Sequence, residues 1–178
     1  MRRDQFEHAI RAATRIVKQR EIIIIGSQSI LGSWDESELP AEAVMSVEVD
    51  MCPIEDDDVE SLATEIDAAV GEMSVFHETQ GFYIQGVGRR TAKLPLGWES
   101  RLVPVSGENT DGAVGFCLDP HDLCAAKLIA HREKDRAFVA ALLEASLVDP
   151  ALIAERLASI PDEAERAATA HAWLSPWL

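Results

Sequence analysis

Four consecutive isoleucines at residues 22–25 constrain the fold more than any other feature of the sequence. β-Branched side chains favour strands, and an apolar run of this kind is typical of a strand that is buried on both faces of a sheet. Gly26 and Ser27 follow the run directly and predict that the strand stops there. Ser27 is a plausible N-cap for a short helix at residues 28–31, which Gly32 would end.

The spacing of apolar residues predicts the other elements of the chain. Further strands are predicted at residues 44–51, 82–87 and 101–105. Helices are predicted at residues 4–19, 56–69 and 120–131, then up to residue 147, and from Pro150 and Pro161 onward. A mixed sheet followed by a helical tail predicts an α/β or α+β fold, with a core at residues 1–118 and a helical region at 119–178 packed on it.

Length and composition predict a globular, cytoplasmic protein. The 178 residues suit one domain or a small α/β core with a helical extension, and 47% of them are hydrophobic. The longest apolar run is too short to span a bilayer, and the first residues lack a secretory pattern, so no membrane partner is expected. The three cysteines form no C-x-x-C pair, which favours buried reduced thiols over a zinc site or a disulfide.

Charge is distributed unevenly along the chain. The net charge of −15 disfavours generic nucleic-acid binding through a basic surface. Residues 21–88 contain 16 acidic residues and no lysine or arginine, whereas half of the 16 basic residues lie between Arg89 and Arg136. One part of the molecule could therefore attract cations and the other could hold phosphates. Alternatively, the acidic loops only keep the protein soluble.

Glu48 and Asp50 form the first candidate site. They stand two apart in a strand with apolar neighbours, so their side chains share one face of the sheet. Two carboxylates held close together repel each other, and a cation between them lowers that cost. Mg²⁺, or Mn²⁺, suits such ligands and keeps other positions for water or substrate phosphate. The alternative is a half-exposed strand with acids on its solvent face.

Gly26 and Ser27 form the second candidate site. A strand that ends in glycine and serine before a helix presents free backbone N–H groups, which can bind phosphate. Glycine also lets the backbone approach a ligand closely. The alternative is an ordinary strand-to-helix turn capped by serine.

The two sites in this order resemble the nucleotidyltransferase superfamily of the DNA polymerase β type. The resemblance lies in I-I-G-S-Q-S-I-L-G followed by S-V-E-V-D-M, and it implies that the Gly-Ser turn holds nucleotide phosphates while Glu48 and Asp50 bind magnesium. The chain departs from the common pattern in having Glu48 where an aspartate is usual and in a longer spacer. A third carboxylate is not evident, although Glu99 is a candidate.

A later segment is similar to the helical part of AbiEii-type toxin nucleotidyltransferases. The matching residues are D-L-C-A-A-K-L at 122–128 and R-E-K-D at 132–135. The resemblance implies that Lys127 meets the triphosphate, with help from Arg132 or Lys134, and that Asp135 orients a basic partner. Alternatively, Lys127 extends along the surface of an amphipathic helix, and residues 132–135 are a solvated turn.

Two functional hypotheses follow. The first is a Mg²⁺-dependent enzyme that moves a nucleotidyl group from a nucleoside triphosphate to an acceptor hydroxyl on a tRNA, a protein or a small molecule. It could be the toxin of a toxin–antitoxin pair, with an antitoxin as its partner. The second is a catalytically silent binding or regulatory module of the same fold, which the missing third acid and the Asp-to-Glu change favour.

Overall fold

The computed structural model describes residues 1–57 and 59–178. The strands are β1 (Glu21–Ile24), β2 (Glu48–Pro53), β3 (Tyr83–Gly86), β4 (Val103–Val105) and β5 (Val114–Cys117). They form one mixed sheet in the order β3-β2-β1-β5-β4. The pairs β1–β5 and β2–β3 are parallel, and the pairs β1–β2 and β4–β5 are antiparallel.

Helices cover the sheet and fill the C-terminal part of the chain. They are α1 (Arg3–Val17), α2 (Ala41–Val44), α3 (Ser61–Val70), α4 (Val75–Gln80), α5 (Pro120–Ala130), α6 (Glu133–Glu144), α7 (Pro150–Ala158) and α8 (Ala164–Leu174). Short 3-10 helices lie at Ser27–Gly32, Trp98–Arg101, Glu108–Thr110 and Ser175–Trp177. The predicted α/β or α+β class, with helices following a mixed sheet, is confirmed. The exact boundary between a core and a helical region stays a prediction.

The isoleucine strand β1 lies in the middle of the sheet, as its composition requires. Residues 22–25 are all buried. On one face of the sheet, α1 packs close to the strands because Gly115 leaves room for it. A Cβ at Gly115 would lie 2.6 Å from Ile10 Cδ1 and 2.8 Å from Ile24 Cδ1. The three cysteines are buried and free, as predicted.

The predicted set of strands needs two corrections. The prediction of a strand at residues 44–51 was wrong at its start, because Ala41–Val44 is a helix and β2 begins at Glu48. The strand β5 was not predicted at all. Its sequence, V-G-F-C, is short and contains the glycine that accommodates α1, which hides the alternation of a strand. The strand predicted from the isoleucine run at residues 22–25 is confirmed as β1, and those predicted at 82–87 and 101–105 are confirmed as β3 and β4 with shorter bounds.

The helix predicted at residues 56–69 begins later, at Ser61. The carboxylate of Asp56 accepts from the amides of Leu62 and Ala63, and the carboxylate of Asp57 accepts from the amide of Ser61. These acids therefore precede α3 and cap its free N–H groups, as helix N-termini require. Residue 58, also part of that prediction, lies outside the described residues.

A buried ionic cluster fixes α5, which carries part of the candidate site. Asp122 on α5 is fully buried and accepts two hydrogen bonds from Arg101, at 2.8 and 3.0 Å. Arg156 Nε on α7 lies 3.1 Å from Asp122 Oδ1. The cluster joins α5 to α7 and to the 3-10 helix before β4. In the part of the chain that the structure describes, no helix is long and apolar enough to cross a membrane.

Candidate active site

The acid pair lies on the face of the sheet opposite α1. Met51 pairs with Ile24, whose Cδ1 lies on the same side of the sheet as Ile10 of α1. Neighbouring residues of a strand point to opposite faces. Glu48 and Asp50 therefore share the other face. Burial and the nearby charge of Glu48 raise the pKa of Asp50 to about 6, against the opposing effect of basic groups on the cavity wall.

Gly26 is required by its contact with Asp50. Its φ and ψ are those of ordinary extended backbone, so conformational freedom is not the reason for glycine. A Cβ at this position would overlap Asp50 Oδ2 and lie 2.5 Å from Asp50 Cγ. The backbone is tied in the same place, since Ile25 N donates to Asp50 O at 3.1 Å. The glycine thus lets the end of β1 approach the carboxylate of β2 directly.

Ser27 does not have the local role that the sequence predicts for it. The 3-10 helix begins at Ser27 itself, its N-cap is Gly26, and no side chain caps it. The Ser27 hydroxyl instead accepts a hydrogen bond from Lys127 Nζ at 2.9 Å. This contact spans 100 residues of sequence and joins the turn after β1 to α5.

Lys127 is held from three directions. Besides Ser27, it pairs with Asp135 Oδ1 at 3.2 Å, and its Nζ lies 4.4 Å from the centroid of the Phe138 ring. Asp135 is fully buried and also accepts from Arg132 Nε at 2.6 Å. Burial lowers the pKa of Lys127, and the ion pair with Asp135 partly offsets this effect. Burial alone would raise the pKa of Asp135, but Arg132 and Lys127 hold it below its usual value.

One cavity of about 540 Å³ brings these groups together. It is lined by Gly26, Ser27, Glu42, Met45, Ser46, Glu48, Asp50, Lys127, Arg132, Lys134, Ala137 and Phe138. The structure therefore places seven of the eight predicted site residues around one cavity. The eighth, Asp135, does not line the cavity but forms ion pairs with Lys127 and Arg132. Five further lining residues were not predicted: Glu42, Met45, Ser46, Ala137 and Phe138. The helix α2 was not predicted, and Ala137 and Phe138 are uncharged residues of α6 that carry no sequence signal for a site.

The strand next to the acid pair carries no third carboxylate. In the parallel pairing of β2 with β3, Tyr83 stands beside Glu48 and Gln85 beside Asp50. Burial, Glu48 and Glu72 raise the pKa of Tyr83 to about 12, so its phenol is neutral at physiological pH. Gln85 donates to Asp67 at 2.9 Å. The sequence candidate Glu99 lies in the 3-10 helix before β4, at the opposite edge of the sheet.

The donor set suits a hard divalent cation that completes its coordination with substrate. Among residues 1–57 and 59–178, no group of three or more His, Cys, Asp and Glu side chains could hold a metal ion. Mg²⁺ commonly needs only one or two protein carboxylates, because water and phosphate oxygens occupy its other positions. Asp50 and Glu48 also carry an unfavourable mutual repulsion, which a cation would relieve. Their chemistry therefore fits Mg²⁺ or Mn²⁺.

Comparison with known sequence families identifies the family of the chain. A family described as a nucleotidyltransferase of unknown function (DUF6036) matches residues 4–173. The chain belongs to this family. Membership supports the wider nucleotidyltransferase resemblance, whereas the narrower resemblance to AbiEii-type toxins stays a prediction. Searches among curated proteins and among solved structures found no match.

Proposed function

We propose that this member of the nucleotidyltransferase family transfers a nucleotidyl group from a nucleoside triphosphate to an acceptor hydroxyl. The acceptor oxygen would attack the α-phosphorus, the bond to the β-phosphate would break, pyrophosphate would leave, and the hydroxyl proton would pass to water. The observation that carries the proposal is the single cavity in which the Gly26-Ser27 turn, the acid pair and Lys127 meet.

The basic wall of the cavity would hold the triphosphate. Lys127 and Arg132 keep their positions through Asp135, so their charges are oriented before a ligand arrives. Lys134 adds a third cation to the same wall. A triphosphate carries several negative charges, and charge-assisted hydrogen bonds to such groups are stronger than neutral ones. Ser27 and the backbone at Gly26 would contact the phosphates from the sheet side.

The acid pair would hold Mg²⁺ or Mn²⁺. When bound, such an ion stabilises the charge that develops on phosphoryl oxygens during transfer. The chain itself contributes the position of the two carboxylates: β2 fixes their spacing, and Gly26 lets Asp50 lie against the end of β1. The same carboxylates repel the triphosphate in the absence of a cation. Nucleotide binding is therefore expected to depend on the metal.

The acceptor could be a tRNA, a protein or a small molecule, and a toxin–antitoxin role with an antitoxin partner remains part of this proposal. The net charge of −15 disfavours a large nucleic-acid acceptor, because a basic surface supplies most of the affinity for such ligands. A second candidate function is a catalytically silent module that binds nucleotides. The strand beside the acid pair carries Tyr83 and Gln85 there and no third carboxylate, which favours this module.

A label-transfer assay distinguishes the two functions. The protein would be incubated with Mg²⁺ and each of four α-³²P-labelled nucleoside triphosphates, with tRNA, protein and small-molecule fractions as separate acceptors. Label in one fraction, lost with Asp50→Asn but retained with the exposed control Glu65→Gln, is the expected result. Metal-dependent nucleotide binding without transfer would indicate the silent module. Absence of both binding and transfer would contradict both functions.

A further inference from the structure

One wall of the candidate active site exposes an apolar side chain without an evident structural reason. Met45 follows α2 and lines the cavity, yet 74% of it is exposed. Most other side chains of this cavity are charged or carry a hydroxyl group. Leaving a methionine exposed forgoes the stabilisation of burying it, so a ligand that covers Met45 would recover free energy on binding. Other apolar side chains of the chain are exposed as well, but Met45 lies in the cavity, where it can contact an apolar part of a ligand.

Helix α6 contributes two further apolar residues to the same cavity. Helix α2 packs against α6, and Ala137 and Phe138 of α6 line the cavity together with Met45. Ala137 is exposed, whereas Phe138 is only 3% exposed and its ring already has Lys127 over it. Met45 and Ala137 are thus the apolar groups of this cavity that a ligand can cover most completely.

The rest of the cavity suits an anion. Lys127, Arg132 and Lys134 contribute positive charge, and Ser27 contributes a hydroxyl group. A ligand that satisfies both regions has a polyanionic end and an apolar or weakly polar end. Nucleoside triphosphates have this construction, and methionine sulfur makes favourable contacts with aromatic rings. The volume of about 540 Å³ lies in the usual range for small-molecule sites.

The geometry points to Met45, together with Ala137 of the same cavity, as the subsite for the nucleobase. This inference rests on the proposed function and adds the part of the nucleotide that the phosphate-binding residues do not explain. It assigns Met45 to affinity for the base and assigns no role to it in holding phosphates. An inorganic triphosphate, which has no base, should therefore not detect a change at Met45.

Isothermal titration of the whole chain with Mg²⁺ and either a nucleoside triphosphate or inorganic tripolyphosphate tests this assignment. ATP, GTP, CTP and UTP would each be titrated, and the one that binds most tightly would be used for the variants. Met45→Ala is expected to weaken binding of that nucleotide by about tenfold and to leave tripolyphosphate affinity unchanged. Met45→Leu should retain affinity, and Met45→Gln, which is polar and similar in length, should lose it.

Met73→Ala provides the matched control, since Met73 is 86% exposed but lies between α3 and α4 and does not line the cavity. It should change neither affinity. Equal nucleotide affinity in wild type and Met45→Ala would overturn the base subsite, as would an equal loss for nucleotide and tripolyphosphate. Wild-type protein that binds tripolyphosphate as tightly as all four nucleotides would also overturn it. Failure of wild type to bind any of these anions would instead overturn the proposed function itself.

Discussion

At the scale of single residues, the closest contact of the candidate site is between Gly26 and Asp50. Gly26→Ala should push the Asp50 carboxylate away, because the new Cβ would lie 2.5 Å from Asp50 Cγ. We expect loss of metal-dependent nucleotide binding and a destabilisation of about 1–3 kcal/mol, which is typical of overpacking. Chemical denaturation and calorimetric titration measure the two effects.

Gly107→Ala serves as the control for this substitution, since its φ is 172° and nothing lies within 4 Å of a Cβ there. It should alter neither quantity. The double variant Gly26→Ala/Asp50→Ala removes the overlapping carboxylate and should regain much of the stability lost in Gly26→Ala. A Gly26→Ala protein that binds nucleotide like wild type would show that Asp50 need not lie against the turn.

Asp50 itself should reduce stability at neutral pH when no metal is bound. Its pKa is about 6 in the folded protein, above the ordinary 3.8, so the native state favours the protonated form. Ionisation therefore costs stability: the cost is absent below about pH 4, grows as the pH rises to about 6, and is complete above that. Asp50→Asn should stabilise the metal-free protein by roughly 1–3 kcal/mol at pH 7.5 and by little at pH 4.

Thermal melts at the two pH values, with and without Mg²⁺ and a triphosphate, check this prediction. The ligands should raise the melting temperature of wild type and have little effect on Asp50→Asn. Glu65→Gln, which changes an exposed carboxylate on α3, should have the stability of wild type and keep its ligand-induced rise in melting temperature. An Asp50→Asn protein that is less stable than wild type at pH 7.5 would mean that the ionised Asp50 side chain stabilises the fold, which contradicts this prediction.

At the scale of elements, the junction of α5 and α6 supplies the positive charge of the site. Lys127→Ala should weaken triphosphate binding by roughly 1.5–3 kcal/mol, the range for a hydrogen bond to a charged group. Its stability should also fall, because the Lys127 side chain is only 11% exposed and buried Asp135 would keep Arg132 as its remaining partner. Titration and denaturation of the variant measure the two losses.

Lys134→Ala is the companion variant at this junction. Lys134 lines the same cavity but is exposed, so its replacement should weaken triphosphate binding with little loss of stability. The pair of variants thereby separates the effect of charge on the ligand from its effect on the fold. Unchanged triphosphate affinity in both variants would remove this wall from the phosphate site.

The elements also show which parts of the molecule the sequence could reveal. The run at residues 22–25 identified β1 because only a strand buried on both faces needs such a composition. The start of helix α5 could also be predicted from the sequence, since Asp119 is its N-cap and Pro120 is its first residue. Strand β5 was missed because Gly115 serves the packing of α1, a requirement that no local pattern expresses. The start of α3 was predicted too early for a similar reason. Carboxylates that precede a helix and cap its N–H groups cannot be distinguished in sequence from carboxylates within its first turn.

In the candidate site too, features set by local sequence could be predicted, whereas features set by distant residues could not. Spacing alone placed Glu48 and Asp50 on one face, because strand alternation is a local rule. The role of Ser27 could not be predicted in this way, since its partner Lys127 lies 100 residues away. The resemblance to known nucleotidyltransferases brought Lys127 and Asp135 into consideration, and the fold shows how one buried carboxylate orients two cations. Met45 gave no sequence signal, because its exposure is a property of the folded chain.

At the scale of the whole molecule, buried Asp122 joins separate parts of the chain. Removing it in Asp122→Ala would leave Arg101 and Arg156 without their shared partner in a largely buried place. We expect a loss of about 3–5 kcal/mol, typical of breaking a buried ion pair on one side. Urea denaturation measures the loss, and Asp149→Ala, which removes the exposed N-cap of α7, should cost only about 1 kcal/mol. A loss below that of the cap variant would contradict the structural role of the cluster.

The most direct test of the central claim is a crystal structure of the chain with Mg²⁺ and a non-hydrolysable nucleoside triphosphate. The account predicts the metal on Glu48 and Asp50, with the phosphates between the Gly26-Ser27 turn and Lys127. A nucleotide bound elsewhere, for example in the cavity of about 620 Å³ beside Cys52 and Arg89, would contradict it. So would a metal ion that leaves Asp50 without contact while the phosphates occupy the predicted cavity.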